Sequence, residues 1–398
     1  MPKRKNDSQG EEPARAGVSG QRGVTNMTAA GISRRSLVLG ATTGAAALAS
    51  AGWPGAADAA DKLVVGVIYV GTRGDFGWNQ SHATAVEALK TVPGVSVVEE
   101  ENVPETLAVA NTMKSMIELD GAKLIFGTSF GYFNPFMVDI ARQYPDVQLR
   151  HPTTLWSADK HPANLGGYFA YMDQAHYVNG VAAGLSSKTG KIGYVAAKPI
   201  SLVLRTINSF MLGVRKGNPG ATVKLIFTGD WSLPVREAEA ANALASAGCD
   251  VVACHVDSPK VIVETLERRG VKSCGHNTSQ AALAPKGFIT GAETKYETIY
   301  KGFAELLARG ERLPNVAIGG YDKDMVTSTP FGAGASEEAR RAATEAIAAL
   351  RAGQPMFAGP IRDNKGNVIV APGSALGNYA PELETANYLV EGIEGSVT

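Results

Sequence analysis

The chain has 398 residues, with 38 Lys and Arg against 38 Asp and Glu, and 44% of its residues are hydrophobic. This length favours two domains, and the composition is ordinary for a protein with substantial buried cores. Residues 1–59 hold seven basic and four acidic side chains, which leaves 31 basic and 34 acidic groups in the rest. That slightly acidic remainder lacks the clustered basic excess of a nucleic-acid-binding protein or of a protein held on anionic lipid.

Residues 1–59 have the pattern of an export signal. Residues 1–32 are polar and rich in charge and glycine, which predicts disorder. Arg34 and Arg35 precede a mildly apolar stretch, residues 37–49, that is shorter than the roughly 20 residues of a membrane span. Ala57-Asp58-Ala59 matches a signal-peptidase site. The paired arginines favour the twin-arginine route, with an ordinary secretory signal or a misplaced start codon as alternatives.

The number, position and spacing of the cysteines bear on the cellular location of the protein and on metal binding. The first is Cys249, so no thiol lies near the predicted cleavage site for lipid attachment. We therefore expect a periplasmic protein that is not a lipoprotein and has no transmembrane helix. Cys249, Cys254 and Cys274 are an odd number, which leaves at least one free thiol, and buried small side chains are the simplest interpretation. No Cys-x-x-Cys or His-x-x-x-His spacing predicts a metal site.

Short apolar runs alternate with helical segments along the first half of the mature chain. The predicted strands are Leu63–Val70, Val95–Val98, Leu124–Phe126, Val147–Leu149 and Tyr168–Ala170. The last two look like edge strands. The predicted helices between the strands are Ser81–Leu89, Thr106–Leu119 and Pro135–Tyr144.

The same alternation then restarts. The predicted strands are Lys191–Val195, Thr222–Phe227, Val251–Cys254, Val271–Cys274 and Phe288–Thr290. The predicted helices are Ala175–Leu185, Leu202–Arg215, Pro234–Ala247 and Pro259–Arg269. The last hundred residues add helices Tyr296–Ala308 and Glu337–Ala352, a strand Val316–Ile318, and a hairpin over Ile361–Val370.

Strands that alternate with helices of this length predict right-handed βαβ units. We therefore expect an α/β protein with two doubly wound parallel-sheet lobes. Ligands of such sheets bind beyond the carboxyl ends of the strands, so the loops of two facing lobes should form one cleft.

Catalytic and cofactor motifs are missing. Gly71-Thr72-Arg73-Gly74 follows the first strand without completing a dinucleotide fingerprint, and no phosphate-binding Gly-Lys-Ser/Thr or Gly-x-Ser-x-Gly elbow occurs. We therefore predict no cofactor. His255, Asp257 and His276 fall on cleft loops, but no convincing nucleophile accompanies them. We assign no catalytic residue, and an enzyme built on these three groups stays an alternative.

Aromatic side chains are only 7% of the chain, yet several fall on the predicted cleft loops. One from each lobe could clamp a flat ring, because stacking of a base on an aromatic side chain is worth roughly 1–3 kcal/mol. Core or hinge packing is the alternative for each of them. Polar neighbours would orient the edge of the ring. The candidate ligand-binding residues are Trp78, Asn79, Tyr132, Trp231, Asp257, His276 and Asn277.

At these residues the chain resembles the basic membrane protein family, the solute-binding proteins of ABC importers. The resemblance covers nearly the whole mature chain. The motifs that carry it are Val67–Val70 followed by Gly71, Asp75, Gly77, Trp78 and Asn79; Phe126–Gly131; Arg205–Phe210 followed by Gly213 and Asn218-Pro219; and then Trp231, Glu237–Ala240 and Asp257–Pro259.

The resemblance implies a type I periplasmic-binding fold with three crossovers. One lobe would comprise residues 60–172 and about 293–320, and the other residues 173–292 and about 321–398. Better-known members bind purine bases or nucleosides, which implies stacking by Trp78 and Trp231 and reading of the ring edge by Asn79. The family's acidic ribose-binding segment is Gly275–Ser279 here, without its acids.

This departure favours a free base such as adenine over a nucleoside. The partners implied are a purine-like ligand and an ABC permease in the inner membrane, and we expect a monomer. A binding protein for a sugar or another small polar amide, and a sensor module that docks on a receptor, are the alternatives.

Overall fold

The computed structural model describes residues 62–397. The predicted leader, residues 1–59, lies outside them, so the export signal stays a prediction. None of the helices within residues 62–397 combines the length and apolar character that a membrane crossing needs. Cys249, Cys254 and Cys274 are buried and unpaired, as the simplest interpretation predicted.

Apolar runs form the strands at the centre of the fold. Every residue of the strands Leu124–Gly127 and Val251–His255 is buried, as expected for strands covered on both faces. In chain order the strands are β1 (Leu63–Ile68), β2 (Val95–Glu100), β3 (Leu124–Gly127), β4 (Gln148–His151), β5 (Leu165–Ala170), β6 (Lys191–Ala196), β7 (Thr222–Phe227), β8 (Val251–His255), β9 (Lys272–Asn277), β10 (Phe288–Thr294), β11 (Val316–Gly319), β12 (Val326–Ser328), β13 (Phe357–Ala358), β14 (Ile361–Arg362), β15 (Val368–Val370), β16 (Ala375–Leu376) and β17 (Ile393–Glu394).

Helices connect most of these strands, and local signals set several of their starts. Thr106 and Ser336 each accept a hydrogen bond from a backbone N–H of the first turn that follows, and Pro234 begins its helix. The helices are α1 (Trp78–Leu89), α2 (Leu107–Glu118), α3 (Val138–Gln143), α4 (Met172–Ser186), α5 (Ser201–Gly217), α6 (Pro234–Ser246), α7 (Lys260–Arg268), α8 (Tyr296–Ala308), α9 (Glu337–Arg351) and α10 (Pro381–Glu384).

Two large sheets define two lobes. The first has the order β11-β5-β4-β3-β1-β2, and all its neighbouring strands are parallel. The second has the order β12-β10-β9-β8-β6-β7-β17, in which only β12 runs antiparallel to its neighbour. The chain changes sheet after β5, after β10 and after β11. The predicted α/β fold with parallel-sheet lobes is confirmed.

Three local predictions meet different outcomes. The hairpin over residues 361–370 is confirmed by antiparallel pairing of β14 with β15. Strands β4 and β5 are internal rather than edge strands, because β11 returns from late in the chain to pair with β5. The predicted helix Pro135–Tyr144 becomes regular only at Val138, since Asn134 keeps the extended backbone that a following proline favours.

The C-terminal segment is tied to the first crossover between the lobes. Arg205 of α5 contacts Asp173 through Nε at 2.7 Å and Glu384 through Nη1 at 2.8 Å. Its guanidinium also lies 4.4 Å from the ring centre of Tyr171, whose hydroxyl donates to Glu384. The crossover is therefore held by side chains from α5 and α10 as well as by the backbone.

Candidate functional site

A cavity lies where loops from the two sheets meet. Its volume is about 70 Å³, and since a water molecule needs roughly 10–15 Å³, it has room for several waters or one small planar molecule. The residues that line it follow the carboxyl ends of strands or begin the crossovers, as expected for open α/β sheets. They are Trp78, Ser129, Phe130, Pro152, Thr153, Phe169, Ala170, Met172, Leu202, Trp231, His255, Asp257, His276, Asn277 and Tyr296.

The loop before α1 bonds the first lobe to the second beside this cavity. The backbone N–H of Trp78 donates to the carbonyl of Asp257 at 2.8 Å, and the Ser258 hydroxyl donates to the carbonyl of Asp75 at 2.6 Å. Gly77 lies so close to the second lobe that a Cβ atom there would be 1.8 Å from the Asp257 carbonyl oxygen. The structure is therefore a closed arrangement of the lobes, and it requires glycine at position 77.

Both predicted stacking residues border the cavity, one from each lobe. The indole N–H of Trp78 donates to the Thr128 carbonyl at 2.6 Å, and its ring packs edge-on against His82. Trp231 lies on the opposite lobe, with the Lys198 ammonium 5.4 Å from its ring centre. The hydrogen bond fixes the orientation of Trp78, so one aromatic wall is set before any ligand arrives.

Asn79 and Tyr132 are not among the residues that line this cavity, so their contacts with a ligand stay predictions. The Asn79 amide donates to Asp75 at 2.8 Å and accepts from the Gly71 N–H at 3.2 Å, so it orders its own loop. Tyr132 is fully buried in the first lobe and donates to the carbonyl of Val103. The helical turn after β3 directs this ring into the core rather than toward the cleft.

The other predicted polar residues, Asp257, His276 and Asn277, do border the cavity. The Asp257 carboxyl makes no hydrogen bond within residues 62–397. Burial, followed by the like charges of Asp75 and Glu105, raises the pKa of Asp257 to about 8. Its carboxyl is therefore largely neutral at pH 7 and can donate a hydrogen bond as well as accept one.

A cluster of histidines forms the wall of the second lobe. The ring centres of His255 and His276 are 4.2 Å apart, and Nε2 of His176 lies 2.8 Å from Nδ1 of His276. Burial lowers the pKa of all three, that of His255 to about 3, so the rings are neutral at pH 7. Within the described part of the chain, no group of His, Cys, Asp or Glu is arranged to hold a metal ion.

The aliphatic hydroxyl groups of Ser129 and Thr153 line the cavity from the first lobe, and each already has a partner in that lobe. Ser129 donates to Glu105 at 2.5 Å, and the Thr153 hydroxyl lies 2.7 Å from Nδ1 of His151. Aromatic faces, neutral imidazoles and a neutral carboxyl suit the binding of a small polar ring.

Sequence reasoning missed several residues of this site. Tyr296 lines the cavity because the second crossover begins just after β10, and the carboxyl-end rule applied to that strand would have found it. His176 sits within α4 and approaches the cavity only through His276, so no local signal marks it.

Comparison with known proteins adds independent evidence. The family model described as "ABC transporter substrate-binding protein PnrA-like" matches residues 62–333. A purine-binding protein of Brucella abortus (strain 2308) is 34% identical over 343 residues, which is 85% of this chain and 95% of that protein. A putative ABC transporter glucose-binding protein, TsgA13, of Haloferax volcanii is 30% identical over 317 residues, 77% of this chain and 76% of that protein.

Solved structures support the fold. A solute-binding protein of an ABC transporter system from Conexibacter woesei has a TM-score of 0.63 at 21% identity, covering 73% of this chain and 96% of that chain. A transcriptional activator of the comK gene from Bacillus halodurans has a TM-score of 0.62 at 22% identity, covering 72% and 97%. At these identities the likeness extends to the fold alone.

Proposed function

This chain belongs to the family of PnrA-like ABC transporter substrate-binding proteins, the basic membrane protein family, and from that premise we propose that it captures a purine base such as adenine for import. Substrate-binding proteins of this kind bind a small ligand and a permease, and they are typically extracytoplasmic.

The observation that carries the proposal is the meeting of Trp78 and Trp231 at one cavity, each from a different lobe. Two indole faces gain stacking energy from a flat ring, about 1–3 kcal/mol for each base contact, largely without regard to its substituents. Asp257, His276 and Asn277 would then select among rings by hydrogen bonds at the edge. The purine-binding name of the Brucella relative agrees with this reading.

One feature favours a base over a nucleoside. The segment Gly275–Ser279, which ends β9 at the cavity, carries His276 and Asn277 but no carboxylate for a ribose.

We also propose that the protein is exported by the twin-arginine signal, that it is a soluble periplasmic monomer without a lipid anchor, and that it delivers the ligand to an inner-membrane permease. Closure of the lobes excludes water from the cavity and makes its hydrogen bonds selective.

A sugar is the second candidate, because the Haloferax relative is named as a putative glucose-binding protein. Tryptophan faces can also pack against the apolar faces of a sugar ring. A sugar presents many hydroxyl groups that need hydrogen-bond partners, whereas the hydroxyls of Ser129 and Thr153 at this cavity already have partners in the protein.

A ligand screen tests both candidates. Purified protein is unfolded, freed of ligand, refolded and heated with adenine, other nucleobases, nucleosides or glucose, while mass spectrometry identifies whatever the first unfolding released. We expect adenine or a close relative to raise the melting temperature and to quench tryptophan fluorescence. A rise with glucose alone would favour the sugar, and no rise with any purine, pyrimidine or nucleoside would end the heteroaromatic proposal.

A further inference from the structure

Behind the cavity wall of the second lobe, three side chains form a hydrogen-bonded chain. The Tyr194 hydroxyl of β6 lies 3.0 Å from Nδ1 of His176 in α4, and Nε2 of His176 lies 2.8 Å from Nδ1 of His276 in β9. Tyr194 and His176 are fully buried, and His276 is 2% exposed. Only His276 borders the cavity, so the chain runs from the core of the lobe to the ligand site.

Neutral rings restrict how protons are shared along this chain. Each neutral imidazole carries one N–H, and each contact joins one donor to one acceptor. In the first arrangement Tyr194 donates to His176, His176 donates to His276, and Nε2 of His276 carries a hydrogen. In the second arrangement every bond is reversed, and Nε2 of His276 presents a lone pair.

The surroundings of Tyr194 favour the first arrangement. Its hydroxyl has one hydrogen-bond partner within residues 62–397, namely His176. Cys254 lies on β8, which pairs with β6, and Cys274 lies on β9 beyond it, but neither thiol forms a hydrogen bond with the hydroxyl. In the second arrangement the hydroxyl hydrogen would be buried without an acceptor, which is unfavourable.

We infer that the chain from Tyr194 through His176 fixes His276 as a neutral N–H donor to the ligand, so that the site selects rings with an unprotonated nitrogen or a carbonyl oxygen at that position. The inference rests on the proposed function for its ligand class. Nε2 of His276 forms no hydrogen bond within the described chain, although the ring borders the cavity. Tyr194 and His176 touch no ligand in this scheme and act as positioning residues.

His255 is a second imidazole of this wall. Its ring centre lies 4.2 Å from that of His276, with the two ring planes tilted by 39°, and both residues border the cavity. The second lobe therefore presents two neutral imidazoles to the ligand site.

The tautomer of His276 can be measured without any ligand. The full chain, labelled with ¹⁵N in its histidines, is examined by long-range ¹H–¹⁵N correlation, which separates bare from protonated ring nitrogens; His276→Gln assigns the signals. We expect His276 to carry its hydrogen on Nε2. Tyr194→Phe should redistribute the His176 and His276 signals with little change in melting temperature.

Tyr300→Phe is the matched control, because Tyr300 makes the corresponding bond to His82 in the first lobe. It should alter the His82 signals and leave those of His276 unchanged. The inference would be overturned if the hydrogen were on Nδ1 of His276, or if the His276 signals were the same in Tyr194→Phe as in the wild type. The ¹⁵N measurement uses no ligand, so its outcome does not depend on whether the protein binds a purine.

The ligand side is tested with adenine and its 1-deaza, 3-deaza and 7-deaza analogues. We expect one analogue to bind the wild-type protein about tenfold more weakly than adenine, because it leaves the His276 donor unpaired. In His276→Phe, which cannot donate, that analogue and adenine should bind within about twofold of each other. Equal affinity of adenine and all three analogues for the wild-type protein would overturn the inference, while failure of adenine itself would overturn the proposed function.

Discussion

At the scale of single residues, the two tryptophans of the cavity differ in how firmly they are held. Trp78 is fixed by its bond to Thr128 and by ring packing, so it offers a preformed surface. We expect Trp78→Ala to weaken ligand binding by about 1–3 kcal/mol in titration calorimetry. Trp156→Ala is the matched control, because that indole bonds Pro162 away from the cavity. Equal ligand affinities of the two variants would show that Trp78 does not contact the ligand.

Asp257 makes the stability of the protein depend on pH. Its folded-state pKa of about 8 lies above its ordinary value, so between about pH 4 and 8 the folded state keeps a proton that the unfolded state releases. The contribution of this group to stability is therefore complete in acid and is lost as the pH rises through 8. We expect the free energy of unfolding by urea to fall less between pH 5 and pH 8 in Asp257→Asn than in the wild type. Parallel changes would contradict the raised pKa.

At the scale of elements, the loop before α1 decides whether the lobes can close. A Cβ atom at Gly77 would collide with the Asp257 carbonyl, whereas a Cβ atom at Gly74 in the same loop meets nothing within 4 Å. We expect Gly77→Ala to favour a more open arrangement. Its radius of gyration in X-ray scattering should be larger than that of the wild type, and its ligand affinity should be lower by about tenfold or more. Gly74→Ala should behave as the wild type, and similar behaviour of both variants would argue against closure through this loop.

Some strands could be predicted from the sequence, whereas pairing between distant strands could not. Strands β3 and β8 were predictable because their apolar runs are local. The carboxyl-end rule led to Trp231 and Asp257 in the loops after β7 and β8, and to His276 near the end of β9, and all three line the cavity. The pairing of β11 with β5 joins distant segments, so no local pattern reports it. Tyr132 lies in a short helical turn after β3 and is buried, and the Asn79 amide donates to Asp75, so a position on a predicted loop did not reveal these contacts.

At the scale of the whole molecule, the ion pairs of Arg205 join α5, the first crossover and the C-terminal segment. Asp173 is 3% exposed and Glu384 is 36% exposed at the side chain. Removing the buried partner strands a buried guanidinium charge, which typically costs about 3–5 kcal/mol, whereas a solvent-exposed pair contributes about 1 kcal/mol or less. We therefore expect Asp173→Asn to lower the free energy of unfolding several times more than Glu384→Gln does.

Urea unfolding of the two variants under one set of conditions measures this difference. Because both substitutions remove one negative charge and keep the shape of the side chain, burial is what separates them. Equal losses would contradict the prediction, because they would mean that burial does not set how much each of these two contacts contributes to stability.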